Sequence, residues 1–167
     1  MSLLPMVTFD VIEREELNRC LTAWGHLMGP CIRPAKGWSH GLRHDGELVA
    51  VVATDGLIRP TCAGFTRDQA VELSRVCAVR RDLCRVAVRL WREFVFRQLA
   101  AGEGYTWAVS YQDQRLHVGD LYRFDGWLPV ATSRSGTDKR SGKKGRRKVI
   151  WAWSPDPLAM AARRAAG

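Results

Sequence analysis

The sequence lacks any apolar run near the ~18 residues that a bilayer crossing requires, and a membrane role is not expected. Met1–Phe9 has no basic stretch leading into a long apolar core, so no secretory leader is read there and a cytoplasmic protein is expected. The five cysteines (Cys20, Cys31, Cys62, Cys77 and Cys84) are odd in number and nowhere spaced CxxC. They suit reduced, mostly buried thiols better than a disulfide framework or a closed zinc site. There is no internal repeat. Acidic residues are outnumbered, 17 against 26 Lys and Arg, and the formal charge of +9 points to a polyanionic partner.

With 46% apolar residues in 167, the chain can bury a core and favours a single domain. Val7–Ile12 reads as a strand and Glu13–Leu27 as a helix. Gly29–His40, with two prolines and two glycines, reads as a long loop. Its tip, Trp38-Ser39-His40, either faces a substrate or packs on the surface. Asp45-Gly46 marks a hairpin between Gly41–Arg43 and Glu47–Ala53, followed by apolar chain to Ile58.

Gln69–Ala78 is ambiguous, with a strand favoured from Glu72. From Asp82, read as an N-cap, Leu83, Val86, Ala87, Leu90, Phe94 and Leu99 recur at helical steps until Gly102 and Gly104. Strands follow at Tyr105–Tyr111, Trp127–Ala131 and Lys148–Trp153. The order predicts one α/β domain over 1–157, with a short tail at 158–167.

The stretch Tyr105–Trp127, YTWAVSYQDQRLHVGDLYRFDGW, organises the rest. It runs from a strand into a helical turn stopped by Gly126, and carries Ser110, Asp113, His117 and Tyr122 across that junction. Side chains and free backbone groups converge at such junctions in α/β folds. Leu121–Trp127 resembles the LYxxxGF signature of the GCN5-related N-acetyltransferases (GNAT). Glu72-Leu73-Ser74-Arg75-Val76, then Ser110-Tyr111-x-Asp113, His117-x-Gly119, Tyr122 and Trp127, together resemble the phage Mom-type DNA-modification proteins.

That resemblance implies a GNAT-like α/β fold: one mixed, mostly antiparallel sheet, splayed between its fourth and fifth strands and flanked by helices. It also implies transfer of a small group to the N6 amine of adenine in double-stranded DNA, protecting that DNA from restriction in a host cytoplasm. The implied donor is acetyl-CoA or a related acyl-CoA, and iron is suggested by the same family. One departure stands out. The glycine pattern that usually holds the CoA pyrophosphate is absent, the turn reading Val79-Arg80-Arg81-Asp82-Leu83-Cys84-Arg85.

Arg80, Arg81 and Arg85 oppose the dipole at their helix N-terminus unless a bound phosphate faces them, so they are candidate donor-binding residues, with Cys77 beside them. Nearby arginines would lower the pKa of Cys77 or Cys84, although buried, inert thiols are the simpler reading. The resemblance implies that Tyr122 protonates the departing thiolate of CoA. Asp113 and His117, four apart, would share a face of a helix as an acid–imidazole base or as two metal ligands, unless Asp113 only caps. Ser110 either binds substrate or is structural.

Between Thr132 and Lys148 lie eight cations (Arg134, Lys139, Arg140, Lys143, Lys144, Arg146, Arg147 and Lys148) and one Asp, +7 of the net +9. A basic hairpin loop there would bind phosphates without choosing sequence. A flipped base could stack on Trp38, Trp107, Tyr111 or Trp127. Two rival readings remain: an ordinary N-acyltransferase of protein or small-molecule amines, and a non-catalytic GNAT-like nucleic-acid-binding module.

Overall fold

The computed structural model describes residues 5–33, 36–133 and 147–167. The chain forms β1 (Val7–Val11), α1 (Arg14–Ala23), β2 (Gly37–His44), β3 (Glu47–Gly56), β4 (Thr61–Cys62), β5 (Phe65–Thr66) and β6 (Ala70–Ala78). A long helix follows as α2 (Arg81–Leu90), a π-helical segment (Trp91–Phe96) and α3 (Arg97–Glu103). Then come β7 (Trp107–Asp113), α4 (Asp120–Arg123), β8 (Leu128–Thr132), β9 (Lys148–Trp153) and α5 (Pro157–Ala165). Seven strands form one sheet in the order β1-β2-β3-β6-β7-β9-β8, while β4 and β5 make a separate small hairpin, so the expectation of a single sheet needs that amendment. Among the described residues no helix is long and apolar enough to cross a membrane.

All neighbouring strands in the large sheet are antiparallel except β6 and β7. That parallel pair holds only at Ala70–Trp107, Val71–Ala108 and Glu72–Val109. Beyond it β6 continues to Ala78 and β7 to Asp113 without pairing to each other, so the sheet is splayed between its fourth and fifth strands. In the same region β6 bulges. Ala53 of β3 faces Arg75 and Thr54 faces Leu73, leaving Ser74 as the extra residue.

Each side of the sheet is sealed differently. Trp91, Val95, Phe96 and Leu99 of the long helix cover Val71, Leu73, Ala108, Trp151 and Trp153. On the other face α1 lays Leu17 and Leu21 on Val51, Ala53 and Cys77. The β4–β5 hairpin lays Cys62 and Phe65 near Val109 and Ile150.

Three expectations change. The apolar stripe drawn through Val86 and Phe94 is wrong, since both are exposed. The π-helical segment inserts an extra residue per turn and shifts the buried face to Trp91, Val95 and Phe96. Asp82 is not the N-cap: Arg80 occupies that position, without a side-chain cap, and Asp82 lies in the first turn. Trp38, Ser39 and His40 are not a loop tip but part of β2, paired between β1 and β3, where Ser39 and His40 are buried on opposite faces of the sheet. The tail forms α5, capped by Asp156 accepting from the Leu158 amide at 2.8 Å and tied down by Arg163 on the Ala63 carbonyl at 2.7 Å.

His40 lies against Phe9 with ring centroids 5.9 Å apart, and its Nδ1 has no hydrogen-bond partner. Burial lowers its pKa to about 4. An unfolded histidine takes a proton near pH 6.5, so the unfolded state binds more protons between that pH and about 4, and stability falls as pH falls through this window. The cost reaches about 3 kcal/mol at the acid end. Urea midpoints at pH 7 and pH 4.5 should therefore drop less in His40→Leu than in the natural protein.

Candidate active site

Where β6 and β7 part, the gap is spanned by side chains. Ser110, the first β7 residue past the last paired one, donates its hydroxyl to the Leu73 carbonyl at 2.8 Å. The Tyr122 hydroxyl lies 2.7 Å from the Ser110 Oγ. Because Ser110 has a single proton and gives it to Leu73, Tyr122 must donate to Ser110. Tyr122 is buried, its ring stacked on Trp151 at 5.7 Å and edge-on to Trp127 at 5.5 Å. The phenol therefore sits at the apex of the splay, on the α2 side of the sheet.

Local chemistry fixes that phenol. The β7–α4 connection turns at Gly119, whose φ is +84° and where an added Cβ would lie 2.8 Å from both Gln112 Oε1 and Trp151 Cζ2. Gln112 bridges the same point, donating to the His117 carbonyl and accepting from the Trp151 indole at 2.8 Å. After α4, Asp125 binds Arg89 at 3.2 Å and the Trp127 indole at 3.2 Å, and its carbonyl accepts from Arg92 at 2.6 Å. These contacts clamp the Tyr122 turn between β7, β9 and the long helix.

Burial raises the Tyr122 pKa to about 12, opposed by the Ser110 hydrogen bond and reinforced by the charge of Glu72. A CoA-type thiol titrates near 8.5. Complete transfer of the phenol proton to a departing thiolate would then run uphill by roughly 5 kcal/mol. A phenol held this firmly protonated is chemically suited to donating a hydrogen bond to developing charge.

Asp113 and His117 do not join it. Residues 114–116 form a single turn, closed by the His117 amide on the Asp113 carbonyl at 3.1 Å, and not the continuous helix expected there. Strand alternation puts Ser110 and Gln112 on the Tyr122 side and Asp113 on the other. Asp113 accepts from the Arg115 amide at 3.0 Å, while His117 is exposed near His26. Among the described residues no three His, Cys, Asp or Glu side chains converge as metal ligands would.

The opposite face of the splay carries charges that sequence reasoning left without roles. Glu72, the last β6 residue paired with β7, is gripped by Arg33 through two hydrogen bonds of 2.6 and 2.8 Å. Burial opposes charge on Arg33, yet Glu72 outweighs it and raises the Arg33 pKa. Asp55 is fully buried and takes Arg14 at 3.1 Å, the Cys31 thiol at 3.2 Å and the Ser74 hydroxyl. Tyr111 meets the Cys62 thiol at 3.0 Å, and burial together with that contact raises its pKa. Arg33 lies 39 residues from Glu72, and Arg14 lies 41 from Asp55, separations that no local pattern links.

At the other expected positions, Arg80 chelates Asp82 at 2.6 and 3.2 Å, and Arg85 lies over the Phe124 ring at 5.5 Å. Arg81 opens α2, whose first turn has no side-chain cap, and is exposed. Cys77 is buried among Leu17, Leu21 and Val51, and burial raises the pKa of both Cys77 and Cys84, the latter to about 11, so neither is an activated thiolate. Arg134, Lys139, Arg140, Lys143, Lys144 and Arg146 lie outside the described residues. Arg147 is exposed, and Lys148 opens β9 opposite Asp113. Of the proposed stacking residues, Trp127 is buried in the core and Trp107 packs on Phe65 at 4.8 Å.

No protein-family model and no curated protein matches the sequence. Solved structures do match over nearly the whole chain. NAA60 of Arabidopsis thaliana, in complex with a bisubstrate analogue, aligns with a TM-score of 0.62 at 12% identity over 90% of this chain and 100% of its own. The ribosomal-protein-S18-alanine N-acetyltransferase of Escherichia coli aligns at 0.60 and 14% identity, over 89% and 94%. A GNAT family acetyltransferase of Elizabethkingia anophelis with acetyl-CoA bound aligns at 0.51 and 9%, over 89% and 97%. The fold is the GNAT fold. Identity this low speaks to architecture, so within this GNAT fold the chemistry rests on the residues above.

Replacing Gly119 should test how tightly the Tyr122 turn is held. Gly119→Ala combines a left-handed backbone with a sub-van-der-Waals contact and should cost roughly 2–4 kcal/mol, read as a lower urea midpoint. Gly102→Ala, inside α3 and with nothing within 4 Å of an added Cβ, should hold or slightly raise the midpoint.

Proposed function

We propose that the protein transfers a small group from an acyl-CoA-type thioester to an amine, and that the amine is N6 of adenine in DNA, as in Mom-type modification. The observation that carries the transferase reading is the gap between β6 and β7 with a buried phenol at its apex. The unpaired strand edges there offer backbone N–H and C=O groups to a donor laid between them. The bulge at Ser74 frees further backbone from the ladder next to the same gap. Arg80, Arg81 and Arg85, with the uncapped first turn of α2, would face the donor's phosphates.

In this reading the amine nitrogen attacks the thioester carbonyl, a C–N bond forms and the C–S bond breaks. Tyr122 turns its O–H from Ser110 toward the charge developing as sulfur leaves, and the thiolate takes its proton finally from solvent. The amine's proton passes to Glu72, the carboxylate whose charge both Tyr122 and Tyr111 feel. That step needs Arg33 to release Glu72, since its two hydrogen bonds engage both carboxylate oxygens.

DNA as the acceptor is supported by the ordered motif set from Glu72 to Trp127 and by the concentration of charge in 132–148. The ends of that segment, Thr132 and Lys148, lie on strands paired next to the Asp113 end of β7, which is the open end of the gap. The second reading, an ordinary N-acyltransferase of protein or small-molecule amines, is favoured by the structural neighbours, which include acetyltransferases of ribosomal-protein alanine.

Mass spectrometry of nucleosides from DNA of expressing cells separates these. A heavier adenine nucleoside is expected, and it should fall roughly 10²–10³-fold in Tyr122→Phe with the melting temperature preserved. Unmodified DNA with CoA-dependent acylation of another amine would instead support the second reading. Salt-sensitive DNA binding with neither would leave a non-catalytic module. Full activity in Tyr122→Phe would remove the phenol from the mechanism.

A further inference from the structure

The buried charges on the α1 side of the splay do not balance. Arg14 pairs with Asp55, and Arg33 pairs with Glu72. Arg75 makes no ion pair with any described carboxylate, although it is 8% exposed. Its Nη1 donates to the Ser74 carbonyl at 2.8 Å, and its Nε reaches the Gly29 carbonyl at 3.5 Å. Its Nη2 has no hydrogen-bond partner among the described residues and is not among the nitrogens sealed from solvent. Burial, aided by the neighbouring Arg33 charge, lowers the Arg75 pKa, against the opposite pull of Cys31, Glu72 and Asp55. Holding such a charge in a folded protein is costly unless something offsets it.

Position narrows what that something is. Arg75 directly follows the Ser74 bulge, three residues past the last contact with β7. In a parallel pair that places it toward the same open end as Asp113, where Lys148 begins β9 and where the most cationic part of the chain is anchored. A guanidinium with one free fork edge suits a phosphate oxygen. Resting on the nucleic-acid reading above, we infer that Arg75 binds one phosphate of the acceptor strand and so sets which nucleotide reaches Tyr122. It is thus a positioning residue rather than a catalytic one.

The test is fluorescence anisotropy of a short adenine-containing single-stranded DNA across a salt series, with the natural protein and with Arg75→Met and Arg75→Lys. Arg75→Met should bind about tenfold more weakly at fixed salt, and its slope of log K against log salt should shrink by ~0.7, one phosphate contact. Arg75→Lys should keep the slope. Melting temperatures should hold or rise in Arg75→Met, since an unpaired buried charge has gone, whereas a purely structural arginine would lower them and leave the slope intact. Inorganic phosphate should raise the melting temperature of the natural protein but not of Arg75→Met.

An unchanged slope in Arg75→Met overturns the inference while leaving DNA as acceptor. So does a loss of CoA affinity in that variant in place of oligonucleotide affinity. If the natural protein ignores the oligonucleotide yet phosphate stabilises it through Arg75, the anion site stands and the DNA reading falls. Absence of both effects removes both.

Discussion

Everything in the molecule turns on one interruption: β6 and β7 pair for three residues and then separate. A parallel pair buried on both faces would ordinarily continue, because each unmade ladder bond leaves a polar group to be satisfied elsewhere. Here the sheet offsets the loss in two ways. Ser110 reaches across to the Leu73 carbonyl and Tyr122 backs it, so the apex is closed by side chains instead of backbone. Further along, the bulge at Ser74 redirects β6 away from β7 while keeping it on β3. The gap is thus built into both strands and supported from behind by the long helix and by the Trp127–Trp151–Trp153 group.

The two faces of that gap differ in kind. Toward α2 it is aromatic and closed, with one phenol pushed to about 12 by burial. Toward α1 it is ionic, with Glu72, Asp55, Arg14, Arg33 and Arg75 drawn from two strands, a helix and the α1–β2 connection. A thioester carbonyl and its leaving sulfur need donors that do not ionise, and an incoming amine needs an acceptor for its proton. In the proposed transfer the asymmetry would provide one of each on opposite sides of the sheet plane. The same burial that positions the Tyr122 phenol holds its proton in place.

Much of the architecture was legible because it is local. Alternation marked β1, Asp45-Gly46 marked the β2–β3 hairpin, and Gly126 marked the stop after α4. Of the four polar residues named at the strand-to-helix junction, Ser110 and Tyr122 lie in hydrogen-bond contact, because a strand end and the helix that follows it cannot be far apart. The misses are non-local or depend on phase. No pattern in the sequence warns that the helix register slips at Trp91–Phe96, which turned Phe94 outward. Trp38–His40 read as loop because Pro30, Pro34 and Gly37 crowd the approach to β2. Asp113 and His117 were paired on an assumed helix where the chain makes a turn. The ionic face was invisible for a simpler reason: Arg33 meets Glu72, and Arg14 meets Asp55, only after the sheet has assembled.

Amide hydrogen exchange with and without CoA tests the central claim most directly, since it asks whether the unpaired strand edges receive a ligand. The account predicts slowed exchange confined to amides in 73–78 and 110–113 and to the first turn of α2. Unchanged exchange there, or protection centred on another part of the sheet, would contradict it.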